Sequence, residues 1–148
     1  LSAAINSYPE GWVREMGLHL TVATADEVRC EWEVGPQHLQ GYGIVHGGVH
    51  CGVIETLASV GAAVVGMARG QAVVGLENNT SFVRAVRAGA RLHAVATPLT
   101  RGRKSQLWEG RIYDAEEQLV AIGRVRLLCL PADEALAGQA PGVPPSSA

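Results

Sequence analysis

From 27 to 34 the chain alternates strictly: Glu27, Arg29, Glu31 and Glu33 interleave with Val28, Cys30, Trp32 and Val34. A period of two predicts a half-buried strand with one wet face. Gly35 and Pro36 stop it, and a loop is expected through Gly43. The stretch 18–25 reads as a preceding strand. Between 49 and 69 the alternation disappears, and Val, Ile, Leu, Ala, Gly and Met fill nearly every position. That predicts a long helix, apolar on nearly all sides and therefore buried all round. Its small residues Gly52, Ala58, Gly61, Ala62 and Gly66 would let a sheet approach closely. Strand patterns return at 72–83, 90–99, 105–114 and 119–130, with a polar turn at 114–117 joining the last two as a hairpin. Weak helical character at 9–17 puts Trp12, Val13 and Met16 on one side. About six strands and one enclosed central helix give an α+β architecture. The strands are expected to pair antiparallel, because no crossover helices separate them.

Composition narrows the function. With 148 residues and 47% hydrophobic content, the chain suits one domain that buries its own core. Charged residues make up 18%, with a net charge of -2, which argues against a polybasic nucleic-acid binder and against a disordered acidic chain. The stretch 131–148 holds Gly138, Pro141, Gly142, Pro144 and Pro145, so we expect a flexible tail after a domain at 1–130. The least polar run, 57–68, is bounded by Glu55 and Arg69 and is too short to span a bilayer, so no membrane partner is expected. No basic-then-apolar leader opens the chain, and Leu1 in place of Met is what a trimmed chain would show. Cys30, Cys51 and Cys129 form no CxxC pair and read as reduced core thiols of a cytoplasmic protein. His46 and His50 have a zinc-like spacing but no third ligand cluster, so no metal is expected. His19, His38 and His93 read as surface or strand-edge residues.

The chemistry concentrates between Gln40 and Ser59. The string Gln40-Gly-Tyr-Gly-Ile-Val-His46-Gly47-Gly48 leads into the helix, and Glu55 follows. Paired glycines at a helix start leave backbone N–H donors bare, where developing negative charge is favoured. Acyl transfer needs such donors at the carbonyl oxygen and a base or nucleophile beside them. Glu55 is the one carboxylate in the apolar stretch, and Ser59 at i+4 shares its face. A carboxylate there needs hydrogen-bond donors or a charge beside it. The same residues also fit a purely structural role, with a Glu satisfied by a neighbour and glycines that only permit tight packing.

The spacing His46-Gly47-Gly48, six residues, Glu55 resembles the HGGx6(E/D) signature of hotdog-fold acyl-CoA thioesterases. Asn78-Asn79-Thr80-Ser81-Phe82 and Arg101-Gly102-Arg103 resemble later landmarks of that group. The resemblance runs from about Trp12 to Leu130. It is closest to the PaaI-like and glutamate-dependent 4-hydroxybenzoyl-CoA branch. It implies a hotdog fold, a homodimer or dimer of dimers, and active sites between subunits. It implies that Glu55 attacks the thioester carbon or activates water, and that Gly47 donates its N–H to the thioester oxygen. It implies further that Gln40 orients the reacting group, that Ser59 bonds the water, and that His46 shapes the loop. Gly48, Val60, Asn79 and Thr80 are expected around the substrate. Arg84 would contact coenzyme A, with Arg101, Arg103 and Lys104 forming a basic rim for its phosphates. Coenzyme A is part of the substrate, and no cofactor is implied. Val60 stands where the hydroxybenzoyl branch has a carboxylate, so apolar aryl or medium-chain acyl groups fit better than a polar aryl group. A non-catalytic acyl-CoA binder and a hotdog dehydratase are the alternative readings.

Overall fold

The computed structural model describes residues 1–7 and 10–141. Two short helices, α1 (Ser2–Asn6) and α2 (Trp12–Glu15), precede strands β1 (His19–Ala23) and β2 (Val28–Glu33). The long helix α3 (Gly47–Met67) follows, then β3 (Gln71–Phe82), β4 (Arg91–Arg101), β5 (Ser105–Asp114) and β6 (Leu119–Pro131). The strands form one six-stranded sheet in the order β1-β2-β4-β5-β6-β3, antiparallel throughout. It curls around α3, which is the hotdog arrangement.

The alternation of β2 is realised as read, with Val28, Cys30 and Trp32 buried and Arg29, Glu31 and Glu33 exposed. Those inward side chains join Leu20, Leu92, Ala94, Trp108, Ile112, Val125 and Leu127 against Val53, Ile54, Leu57 and Ala58 of α3 in one continuous core. Gly61 and Gly110 make the contact close, because Trp108 occupies the space beside Gly61 and Ile54 that beside Gly110. Trp108 Nε1 donates to Gln106 Oε1, and Gln106 Nε2 donates to the Ala62 carbonyl, so the buried polar groups satisfy one another.

Three expectations are corrected. Helix α3 starts at Gly47 rather than 49, because His46 caps it: Nδ1 accepts from the Gly48 N–H at 2.8 Å. The helix is also not buried all round. Val49, Val53, Ile54, Leu57, Ala58 and Gly61 face the sheet, whereas Cys51, Gly52, Glu55, Thr56, Ser59, Val60, Ala63 and Val64 are only half-buried. A helix apolar on both faces needs two cover layers, and this chain supplies one. By length and composition α3 could cross a bilayer, but its packing against the sheet makes it a core helix. The third correction is His38, which is fully buried. Its Nδ1 accepts from the Gly35 N–H at 2.8 Å, and Nε2 bonds the Met16 carbonyl at 2.9 Å.

Helix α1 has no counterpart in the sequence reading. It is tied down by Asn6, whose amide makes two 2.8 Å bonds to the Leu20 backbone and so imitates a strand at the β1 edge. The expected tail at 131–148 begins where β6 ends, residues 132–141 carry a Leu136–Gln139 bridge, and 142–148 lie outside the described residues.

Candidate active site

Glu55 lies on the half-covered face of α3, opposite β3. Ser59 Oγ, one turn on, donates to Glu55 Oε1 at 3.2 Å, and Asn78 Nδ2 of β3 donates to Oε2 at 3.3 Å. The same Asn78 amide reaches the Cys51 carbonyl at 3.0 Å. Thr80 Oγ1 donates to Asn78 Oδ1 at 2.6 Å, which fixes that amide with its NH2 toward the carboxylate. Both carboxylate oxygens are therefore held, and the donors required of a carboxylate in an apolar helix are present. Asn78 was not among the expected site residues, although its neighbours Asn79 and Thr80 were.

A bulge decides which asparagine faces Glu55. Gly75 pairs with Leu127 and Glu77 with Arg126, so Leu76 is the extra residue. Beyond it, Asn78 lies opposite buried Val125 on the helix side, while Asn79 pairs with exposed Arg124 on the outer face. Gly75 and Asn78 then share the inner side. A Cβ at Gly75 would sit 2.5 Å from Glu55 Oε1. Gly75→Ala is expected to push the carboxylate out of place and to lower kcat/KM by about 10- to 100-fold. Its thermal midpoint should change little, because Gly75 is exposed. Steady-state kinetics alongside a melting curve measure both.

At the N-terminus of α3, the Gly48 N–H is taken by His46, and the Val49 N–H bonds the His46 carbonyl at 2.9 Å. The Gly47 N–H meets no acceptor among the described residues. A Cβ at Gly47 would lie 2.5 Å from Phe82 Cε2, so a larger residue there has to displace that ring. Gln40 sits in the preceding loop, where its Oε1 accepts from the Tyr42 N–H at 2.6 Å. Val60 is half-buried, about 140° around α3 from Glu55, and packs against the core.

The basic residues separate into two places. Arg84 follows β3 near the start of α3 and donates to Gln118 Oε1 at 3.3 Å. Arg101, Arg103 and Lys104 lie at the β4–β5 turn near the far end of α3, where Arg69 bonds the Arg101 and Gly102 carbonyls. Arg101 itself pairs with Asp26 at 2.6 Å, while Arg103 and Lys104 are exposed. No group of three metal-ligating side chains occurs among the described residues.

His50, on the sheet side of α3, is buried, and its Nδ1 has no hydrogen-bond partner among the described residues. Its ring lies 6.1 Å from that of Phe82. Burial pushes its pKa down from 6.5 to about 4. The unfolded chain therefore takes up a proton that the folded one refuses. Stability from this group is complete above about pH 6.5 and declines as the pH falls toward 4. About 2 kcal/mol should be lost between about pH 7 and 5. Urea midpoints across that range should fall in the native chain and fall less in His50→Leu.

The geometry sets a carboxylate with two oriented donors on an open helix face and a bare amide at a glycine-made helix start. Comparison with known proteins places the chain among thioesterases. Rv1847 of Mycobacterium tuberculosis, whose name assigns it provisionally to the esterases, is 44% identical over 115 residues, covering 76% of this chain and 81% of that protein. Its solved structure superposes with a TM-score of 0.79 at 42% identity, over 82% of this chain and 98% of that one. The proofreading thioesterase EntH of Cronobacter turicensis is 34% identical over 113 residues, 76% of this chain and 81% of its own length. The structure of thioesterase HI1161 from Haemophilus influenzae has a TM-score of 0.76 at 28% identity, covering 90% of this chain and 93% of that one. The family model of the thioesterase superfamily matches residues 42–121, a span that holds Gly47, Glu55, Ser59 and Asn78 together, and the chain belongs to that superfamily.

Proposed function

We propose that this protein hydrolyses acyl-CoA thioesters with apolar aryl or medium-chain acyl groups to the free acid and coenzyme A. One observation carries the reading: the Glu55 carboxylate, bonded by Ser59 and Asn78, stands on the face of α3 that the chain leaves half-covered. A purely structural glutamate has no need of an open face. Glu55 either takes a proton from a water that attacks the thioester carbon or attacks that carbon itself. In both routes the carbonyl oxygen gains negative charge, the C–S bond breaks and the thiolate of coenzyme A leaves; in the second the acyl group is left on Glu55 as a mixed anhydride, which water hydrolyses to the free acid and the restored carboxylate. The Gly47 N–H is the donor for that oxygen, supported by the positive end of α3.

Gly47 and Glu55 are eight positions apart, about 12 Å along a helix. One chain cannot aim its own Gly47 at the carbon its own Glu55 attacks. A homodimer whose long helices lie side by side and run oppositely brings the amide of one copy to the carboxylate of the other. The second copy also supplies the missing cover for Val60, Ala63 and Val64, and a dimer of dimers is compatible with this. Gln40 offers its amide NH2 to the water, and His46 holds the loop through Gly48 rather than transferring protons. Gly48 and Thr80 border the site. Arg84 and the exposed Arg103 and Lys104 suit the phosphates of coenzyme A, whereas Arg101 is paired with Asp26 and Asn79 lies on the outer face of β3. No metal or redox cofactor takes part, and the cytoplasm, where acyl-CoA is made and used, is the proposed compartment.

Release of free thiol from a panel of benzoyl-, phenylacetyl- and straight-chain acyl-CoA esters tests the reading. Turnover of several members at a neutral pH is expected. Tight binding of the esters without thiol release would instead make the protein a binder.

A further inference from the structure

The open face of α3 is not wholly bare. The Trp12 indole lies on Gly52, and a Cβ at Gly52 would come within 2.5 Å of Trp12 Cη2. Gly52 precedes Glu55 by three residues, about 4.5 Å along the axis and about 60° around it, so the indole covers the turn beside the carboxylate. Ser59 and Thr56 lie on the same face. Trp12 also borders a half-open cavity of about 540 Å³ beside α1 and α2, walled by Ile5, Val13 and Leu18 and rimmed by Glu10, Arg14 and His19. The ring therefore touches both the Glu55 face of α3 and this largely apolar cavity.

Its position is fixed from below. Val13 packs on the core, the Leu18 N–H bonds the Val13 carbonyl at 3.0 Å, and buried His38 holds the Met16 carbonyl at 2.9 Å. Yet Trp12 itself is 40% exposed, whereas Trp32 and Trp108 are 5% and 0% exposed. A large ring, rigidly based but half-uncovered, beside the Glu55 carboxylate is placed to touch a ligand rather than to fill a core.

We infer that Trp12 is the end wall of the acyl pocket and sets the acyl length that reaches Glu55, with the largely apolar cavity lying beyond the indole. This rests on the thioesterase reading above. Removing the ring joins the cavity to the site, and each additional methylene that finds apolar cover improves kcat/KM.

The test is a straight-chain acyl-CoA series from four to sixteen carbons, with native protein, Trp12→Ala and Trp12→Phe. The kcat/KM ratio of the long to the short esters should rise at least about tenfold in Trp12→Ala. The gain should appear chiefly in KM, and Trp12→Phe should fall between. An unchanged ratio, or an equal loss on every ester, overturns the inference. So does a Trp12→Ala protein that elutes as a smaller assembly than the native one, since Trp12 then serves subunit contact. If the native protein releases no thiol from any ester, the hydrolase reading fails, and the wall is read by binding alone. A medium-chain alkyl thioether of coenzyme A should then change the tryptophan emission of the native chain and not that of Trp12→Phe. An equal change in both, or none in either, overturns it.

Discussion

Glu55→Ala is expected to lower kcat by about a thousandfold with every acyl-CoA ester the native protein accepts, while the assembly and the thermal midpoint stay close to native. The large kinetic loss follows from the site having a single carboxylate: no other acidic residue lies on α3. The small structural cost follows from position. Glu55 is half-buried on the open face, and the donors it would abandon, Ser59 Oγ and Asn78 Nδ2, keep other partners or reach solvent; Asn78 still bonds the Cys51 carbonyl. Glu55→Gln separates charge from shape, because it keeps the volume and one acceptor but can neither take a proton nor attack. It should lose nearly as much. Ser59→Ala and Asn78→Ala only release one oxygen each, so losses of about tenfold to a hundredfold are expected. Thiol release under single-turnover and steady-state conditions, with circular dichroism on each variant, measures the set. Near-native turnover in Glu55→Ala would remove the mechanism.

Much of the sheet was legible because each strand has one wet face, and a period of two needs no knowledge of its neighbours. Glu27 to Val34 is the clearest case. The hairpin at Asp114 was legible from its turn chemistry, and Asp114 Oδ1 does accept from the Glu116 and Gln118 N–H groups. Helix α3 was legible as a helix but not as half-covered. Apolar residues on both faces say that both are to be buried, not which molecule buries them.

The site divides in the same way. Glu55 and Ser59 are brought together by i,i+4 spacing within one helix, so the sequence contains the contact. Asn78 is brought in by register. Counting twos from Gly75 turns Asn78 outward, and only the bulge at Leu76 turns it inward. The signal available was Gly75 itself, since an isolated glycine in a strand marks a bulge or a close approach, and here it marks both. His38 was misread because its partner, the Met16 carbonyl, lies 22 residues away in a segment with only weak pattern. Arg84 was read apart from the Arg101, Arg103 and Lys104 rim, and the fold sets the two toward opposite ends of α3.

Gly61→Val is expected to cause a large loss of stability. A Cβ at Gly61 meets the Trp108 ring, with Cζ3 at 2.5 Å, and Trp108 is fully buried. The ring cannot swing aside without breaking its 3.0 Å bond to Gln106 Oε1, and Gln106 is itself fixed to the Ala62 carbonyl. Gly61→Ala gains about 1 kcal/mol of helix propensity and loses about 1–3 kcal/mol to overpacking, so it should be mildly destabilising. Valine adds two methyl groups to the same overlap and gains less propensity, so about 3 kcal/mol or more should be lost. Trp108→Leu empties the space from the other side and should cost about 3 kcal/mol. The two changes occupy one volume, so they must not add. Gly61→Ala introduced into Trp108→Leu should be neutral or stabilising, because the added methyl group fills part of the hole and keeps its helix gain. Urea unfolding of the four members of this cycle measures the coupling. Strict additivity would mean that α3 and β5 are not pressed together at this point, and that the close approach of helix and sheet, on which the placement of Glu55 against β3 depends, is held elsewhere.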